Sequence, residues 1–360
     1  MAHISDHQHP NRFFNPDQAG VAAQPRRRRP GRQTLLSVSL LVASLTMLSA
    51  KSSLWTQPGM LGPAGLEETT AQEGQAPGGL HVKNLNPQGS FPVNLTPLSA
   101  NSALGIITGM LDAIQNTRQL SYKMKAWERF GRDLIYSESD VRMQMQPFRI
   151  YMKTWAPESG IEILYSTGER DGLALIKPNG FPYVSVKLAP SSSRMREGQH
   201  HTVLEGGFLY FGSIIKRSLD MHRDKLEEVV TLEDGQSFQG RPCYLLTIDY
   251  EGYVWKSYTL KYGETLLSVA RREGLPEHGL LERNPSFSSY ESGKAGQTMS
   301  IPNAYALKTV LYIDKQTLLP IKKMIYDDRG LYERYEFHFL NTSPNLGSNA
   351  FSSDNPEYGF

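Results

Sequence analysis

Residues 257–302 read SYTLKYGETLLSVARREGLPEHGLLERNPSFSSYESGKAGQTMSIP, a stretch whose texture differs from everything on either side of it. Tyr258 to Lys261 suit a short strand. Gly263 permits a turn, Thr265 is placed as an N-cap, and Leu266, Val269 and Ala270 form the buried face of a short helix that Gly274 ends. Pro276 suits the first turn of a second helix, Leu280 and Leu281 face inward, and the Asn284-Pro285 pair stops it. Gly296-Gln297 then turns the chain into a closing strand, Thr298 to Ile301, before Pro302. The order is strand, helix, helix, strand.

Working outward, the flanks carry a different period. On the N-terminal side Leu104, Ile107, Leu111 and Ile114 recur at three and four residues, which predicts an amphipathic helix running to Gln119. Alternation of apolar with charged or amide residues predicts strands at 141–145 and 148–152, with further strands at 161–165, 173–177 and 183–188. A second long helix fits 207–228, where Phe208, Phe211, Ile215 and Leu219 share a face. Strands resume at Cys243 to Tyr250 and, beyond the inserted stretch, at 308–313, 319–326 and 332–339, with Asp327-Asp328-Arg329-Gly330 as a hairpin turn. Short strands joined by turns imply an antiparallel sheet. The fold class expected is α+β: a curved antiparallel half-barrel sheet covered by helices, interrupted by a βααβ module.

The N-terminus speaks to compartment. Arg26 to Arg29 and Arg32 precede TLLSVSLLVASLTMLSA, residues 34–50, an uncharged run that at about 1.5 Å per helical residue reaches about 25 Å. This is a basic region followed by an apolar core, read either as a cleaved signal peptide or as an uncleaved inner-membrane anchor; both place the remainder in the periplasm or cell envelope. Residues 51–98 are dense in Pro, Gly, Gln and Thr without apolar periodicity, the composition of a disordered linker. The domains expected are a cytoplasmic basic tail at 1–33, the signal or anchor at 34–50, the linker at 51–98, a discontinuous half-barrel at 99–256 and 303–360, and the insert at 257–302.

The run Tyr258-Thr-Leu-Lys-Tyr-Gly-Glu-Thr-Leu266, with Ala270-Arg-Arg, Asn284-Pro285, Gly296-Gln297 and Ile301-Pro302 in register, resembles a LysM domain. That resemblance implies binding of N-acetylglucosamine polymers, peptidoglycan in bacteria. The groove it implies is lined by Gly263, Glu264, Thr265 and Leu266 on one side and by Asn284, Pro285, Ser286 and Phe287 on the other. Glu264 stands where the family more often has Asp, and 287–295 is longer and more charged than its usual connection. The flanking CYLLTIDY, the segment from Ile301 to Phe337 and the terminal NPEYGF resemble a bacterial envelope family, number 1571 among domains of unknown function, over roughly residues 101–360. That family is similar in architecture to lipoprotein carriers with a half-barrel plugged by helices. It implies a lipid, lipoprotein or protein partner.

Other functions lack their parts. The 38 Lys and Arg against 36 Asp and Glu leave no global field for nucleic acid, and the basic block at 26–32 is topogenic. Cys243 stands alone, which removes an intrachain disulfide and any two-cysteine metal site, and it reads as a small buried hydrophobe. There is no HExxH, GxSxG or phosphate loop. His200 and His201 read as solvated loop residues, and Asp327 and Asp328 as turn residues. No catalytic residue, metal or cofactor is expected. The Met and aromatic side chains at 141–155 and 183–188 are candidates to line a lipid cavity, or simply core. The alternative function is a structural or sensory scaffold with a closed, dry sheet; a cell-wall hydrolase is the least supported.

Overall fold

The computed structural model describes residues 102–181, 183–221 and 223–360. The basic tail at 1–33, the apolar run at 34–50 and the linker expected at 51–98 all lie outside them. Helix α1, Ala103–Asn116, begins where the Ser102 hydroxyl accepts from Gly105 N at 3.0 Å, and it buries Ile106, Ile107, Met110, Leu111 and Ile114. It stops short of Gln119 because the period changes there: Leu120, Tyr122 and Ala126 alternate into the core along β1, Gln119–Phe130, a strand absent from the sequence expectation.

The chain continues through β2 (Asp133–Met145), β3 (Phe148–Ala156), β4 (Glu162–Ser166), β5 (Ala174–Lys177) and β6 (Val186–Leu188). β6 is shorter than expected because Tyr183 takes a left-handed φ of 58°, which breaks extended pairing. Helices α2, Leu209–Met221, and α3, Leu226–Val229, replace the single helix expected over 207–228. The apolar stripe of Phe211, Ile215 and Leu219 is taken up again by Leu226, which α3 buries in the same core. The path then runs through β7 (Val230–Phe238), β8 (Arg241–Asp249), β9 (Trp255–Thr259), α4 (Leu266–Glu273), α5 (Glu277–Arg283) and β10 (Thr298–Pro302). It ends with β11 (Lys308–Asp314), β12 (Pro320–Asp327) and β13 (Gly330–Asn341).

Eleven strands form one antiparallel curved sheet in the order β6-β5-β4-β3-β2-β1-β13-β12-β11-β8-β7, while β9 and β10 pair only with each other. The central seam joins β1 to β13, with Trp127 opposite Arg334 and Glu128 opposite Glu333. Among the described residues the sheet ends at β6 and β7, which do not pair with each other, so it is not closed, and the closed-sheet scaffold expected as an alternative is corrected. On the concave face α1 and α2 complete a core with Leu120, Val141, Met143, Leu246 and Phe337. Val141, Met143 and Met145 are therefore packed, whereas Trp155 and Tyr183, 44% and 74% exposed, line nothing on that side. On the convex face the C-terminal segment lies across β3 and β4. Tyr358 stacks on Tyr151 with ring centroids 3.6 Å apart, and Gly359 N donates to Glu162 Oε2 at 3.0 Å.

Leu111 is fully buried where α1 meets the sheet. Leu111→Ala is expected to cost about 2–5 kcal/mol, through lost transfer energy and the cavity left behind. Urea unfolding of the full chain measures this, with wild type as reference.

Candidate functional site at the insert and its seam

The insert has its own interior, in which Leu260, Leu266, Val269, Leu280, Phe287 and Ile301 come together. α4 starts in a capping box: Thr265 Oγ1 accepts from Ser268 N at 3.1 Å and Ser268 Oγ accepts from Thr265 N at 2.8 Å. Gly274, in the left-handed region at φ 64°, ends it. The two loops that the LysM resemblance sets on either side of a groove touch. Leu266 N donates to Ser292 O at 3.0 Å and Leu267 N to Tyr290 O at 2.8 Å. A Cβ on Gly293 would sit 3.0 Å from Glu264 O and 3.1 Å from Thr265 Cα, so glycine permits this approach.

The eight residues proposed for that groove divide into two sets. Leu266 and Phe287 are core. Asn284 is buried and locks the end of α5 to β10: its Oδ1 accepts from Ser300 N at 2.7 Å and its Nδ2 donates to Ser300 O at 2.8 Å and Leu280 O at 2.7 Å. Glu264 is committed internally, accepting from Tyr258 Oη at 2.8 Å and Lys261 N at 2.8 Å and pairing with Arg272. Burial pushes against its ionisation, but these donors hold its carboxyl below the usual range. Gly263, Pro285 and Ser286 are exposed, Thr265 is half-buried, and Tyr262 beside them is 88% exposed.

The seam between insert and half-barrel is built from residues that the sequence did not single out, together with four that it did, His200, His201, Asp327 and Asp328. His200 is not solvated; it is 1% exposed. Its Nδ1 lies 2.8 Å from Glu333 Oε1 and its Nε2 3.0 Å from Arg129 O. His201 Nε2 is 3.3 Å from the same Glu333 oxygen, which also accepts from Tyr305 Oη at 3.3 Å. Burial opposes the Glu333 charge, yet His201 and His200 hold its carboxyl well below the usual value. Nearby Lys323 is buried with its ammonium 4.1 Å from the Tyr335 ring centroid and 4.6 Å from that of Phe211, and burial pulls its pKa down to about 8.

α5 docks onto this region. Gly279 N donates to Tyr332 Oη at 2.9 Å. A buried set of four charges surrounds the contact: Arg196 pairs with Glu277 and, at 3.4 Å, with Glu205, while Arg271 reaches Glu277 at 3.0 Å and Glu205 at 3.4 Å. At the rim Arg329 pairs with Glu282 and Arg283 with Asp328. Asp327 keeps the turn role expected of it, accepting from Arg329 N at 2.8 Å, and also pairs with Arg129. Asp328 also sits in that turn, and its carboxylate pairs with Arg283 across the seam. No pattern of local spacing could have found Arg196 or Glu277, because their partners lie on separate elements.

Elsewhere, Cys243 is buried with Leu245, Val310 and Tyr312, and burial pushes its thiol up. A cavity of 510 Å³ lies on the convex side, lined by Ser121, Arg142, Asn341, Asn345, Asn349 and Glu357 among others. Among the described residues no group of three or more His, Cys, Asp or Glu is placed to hold a metal, and no helix is long and apolar enough to cross a membrane.

Two substitutions test these roles. Asn284→Ala leaves the Ser300 backbone groups without their partner and is expected to cost about 1–3 kcal/mol. Arg196→Met leaves Arg271 as the cation shared by the buried carboxylates of Glu205 and Glu277, one buried negative charge uncompensated, and is expected to cost about 3–5 kcal/mol. Both are read by urea unfolding of the full chain.

The model of a protein family described as "Protein of unknown function (DUF1571)" matches residues 118–262. That match runs from β1 into the first loop of the insert and is narrower than the 101–360 expected. No curated protein matches the chain. The MucA/MucB complex of Pseudomonas aeruginosa aligns at 14% identity over 70% of this chain and 60% of that one, with a TM-score of 0.32. The lipoprotein LppX of Mycobacterium tuberculosis aligns at 10% identity over 68% and 98%, with a TM-score of 0.32. A LolA superfamily protein of Nitrosomonas europaea aligns at 9% identity over 70% and 98%, with a TM-score of 0.28. The chain thus spans less than two thirds of the MucB chain, and over β1 to β8 it is similar to a family described only as being of unknown function.

Proposed function

We propose that this chain is a non-catalytic cell-envelope binding protein whose insert takes N-acetylglucosamine polymers, peptidoglycan foremost, with Gly263 and Thr265 from one loop and Pro285 and Ser286 from the other forming the corner that receives them. The carrying observation is that the β9–α4 loop and the segment after α5 meet on a self-contained βααβ core and leave those residues at the surface. Backbone groups and hydroxyls there suit an acetamide, and the exposed Tyr262 ring beside them suits a sugar face. Of the eight groove residues, Leu266, Asn284 and Phe287 support the corner from beneath, and Glu264 braces it through Tyr258 and Arg272.

In this reading the half-barrel is the body that the insert attaches to the cell wall, with localisation to the envelope. Its concave face is filled by α1 and α2. A lipid or lipoprotein guest on that face must therefore displace a helix, whereas a protein partner can use the outer surface.

Retention on insoluble peptidoglycan tests the glycan assignment. Wild type is expected to be retained, and Ser286→Arg, at an exposed position outside the insert's core, to be retained at least about tenfold less, equivalent to about 1.4 kcal/mol. Equal retention of the two proteins, both shown to be folded, removes the assignment.

A further inference from the structure

His200 is surrounded by acceptors. Its Nδ1 faces the Glu333 carboxylate at 2.8 Å and its Nε2 faces the Arg129 carbonyl at 3.0 Å, so both nitrogens must carry hydrogen for both contacts to be hydrogen bonds. The ring is then an imidazolium. It is sandwiched between the Tyr332 ring of β13, at 4.5 Å and 27°, and the His278 ring of α5, at 4.5 Å and 19°, with Phe130 edge-on at 5.0 Å. Tyr332 belongs to the half-barrel and His278 to the insert. The cation therefore sits in the joint itself.

We propose that this pair of stacked imidazoles makes docking of the insert proton-sensitive: the seam is closed while His278 is neutral, and acid opens it. A second positive ring face to face with His200 at 4.5 Å would be repelled with little water to screen it. The surroundings of His278 do not supply a compensating anion at contact. Its Nδ1 lies 3.2 Å from Tyr290 Oη and its Nε2 is buried without a partner. The charged and titratable groups around it are His200 and His201 from the loop before α2, Glu128 and Arg129 from β1, Tyr332 and Glu333 from β13, and Arg329 from the β12–β13 turn. On its own helix are Glu277, held by Arg196 and Arg271, and Glu282, held by Arg329. Burial, followed by the charge of His200, drops the His278 pKa to about 3, whereas burial at His200 is outweighed by Glu128 and Glu333, which raise it.

The sign follows from linkage. A released His278 regains an ordinary value near 6.5, so opening takes up one proton between pH 6.5 and the docked value, and docking weakens as pH falls through that window. Glu333 adds proton uptake only below the ordinary carboxyl range. Glu277, whose carboxyl is raised by burial, works in the opposite sense on release. The contribution of His278 is therefore read as a difference between wild type and His278→Phe, which keeps the ring stack and removes the titration.

The experiment is hydrogen exchange of the α5 amides in the full chain from pH 6.5 to 5.0, corrected for the chemical exchange rate. The opening constant of wild type is expected to rise about tenfold per pH unit more steeply than that of His278→Phe. Equal slopes overturn the proposal. Imidazole nitrogen shifts give a second reading that needs no variant: His278 is expected to stay neutral at pH 5 while docked, and titration near pH 6.5 with α5 still protected overturns the proposal as well. Neither reading depends on whether the insert binds a glycan.

Discussion

One constraint organises this molecule: an open sheet of eleven strands has a concave apolar face that must be withdrawn from water. Helices α1 and α2 do this over most of its width, and their buried side chains interdigitate with Leu120, Met143, Leu246 and Phe337. Toward one end the inward-facing positions change character. Glu128, Glu333 and Lys323 are buried there among apolar neighbours; Lys323 lies against the ring of Phe211 on α2, and the two carboxylates meet polar groups instead. The loop carrying Arg196, His200 and His201, together with α5 of the insert, covers that end and pairs its charges.

This arrangement changes what an inserted module means mechanically. A βααβ unit with its own core and its own two-stranded sheet could hang from its neighbours by two strands of chain. Instead, buried ion pairs and the Tyr332 contact hold it at a set angle. Buried charge pairs contribute little net stability compared with hydrocarbon of equal volume, but a misdocked arrangement would leave them unpaired, at a cost of several kcal/mol. The network therefore specifies orientation more than it adds strength.

Much of the fold was legible in local pattern. The strands from β8 onward and the order within the insert follow from alternation, caps and Gly or Pro stops. Two strands escaped notice for different reasons. β1 carries a clear alternation from Leu120 to Ala126, but the helical period before it invites extension past Asn116. β7 is an edge strand whose sequence VTLEDGQSF is largely exposed, so it lacks the apolar signal that burial imposes. Of the eight candidate groove residues, local reading placed Thr265 as a cap and Leu266 as core. It could not tell that Asn284 is consumed by Ser300, sixteen residues on.

By itself the sequence determined the strand-rich, antiparallel class, the change of texture at residues 257–302 and the single cysteine, because each depends on near-neighbour spacing or on composition. Only the tertiary structure decided that β1 pairs with β13, that the concave face is filled, and that His200 is buried between a carboxylate and a carbonyl and is not a solvated loop residue. Those outcomes depend on groups that are distant in the chain and meet in a medium of low polarity. There a proton, a carboxylate and a carbonyl settle one another's state, and no window along the sequence contains all three.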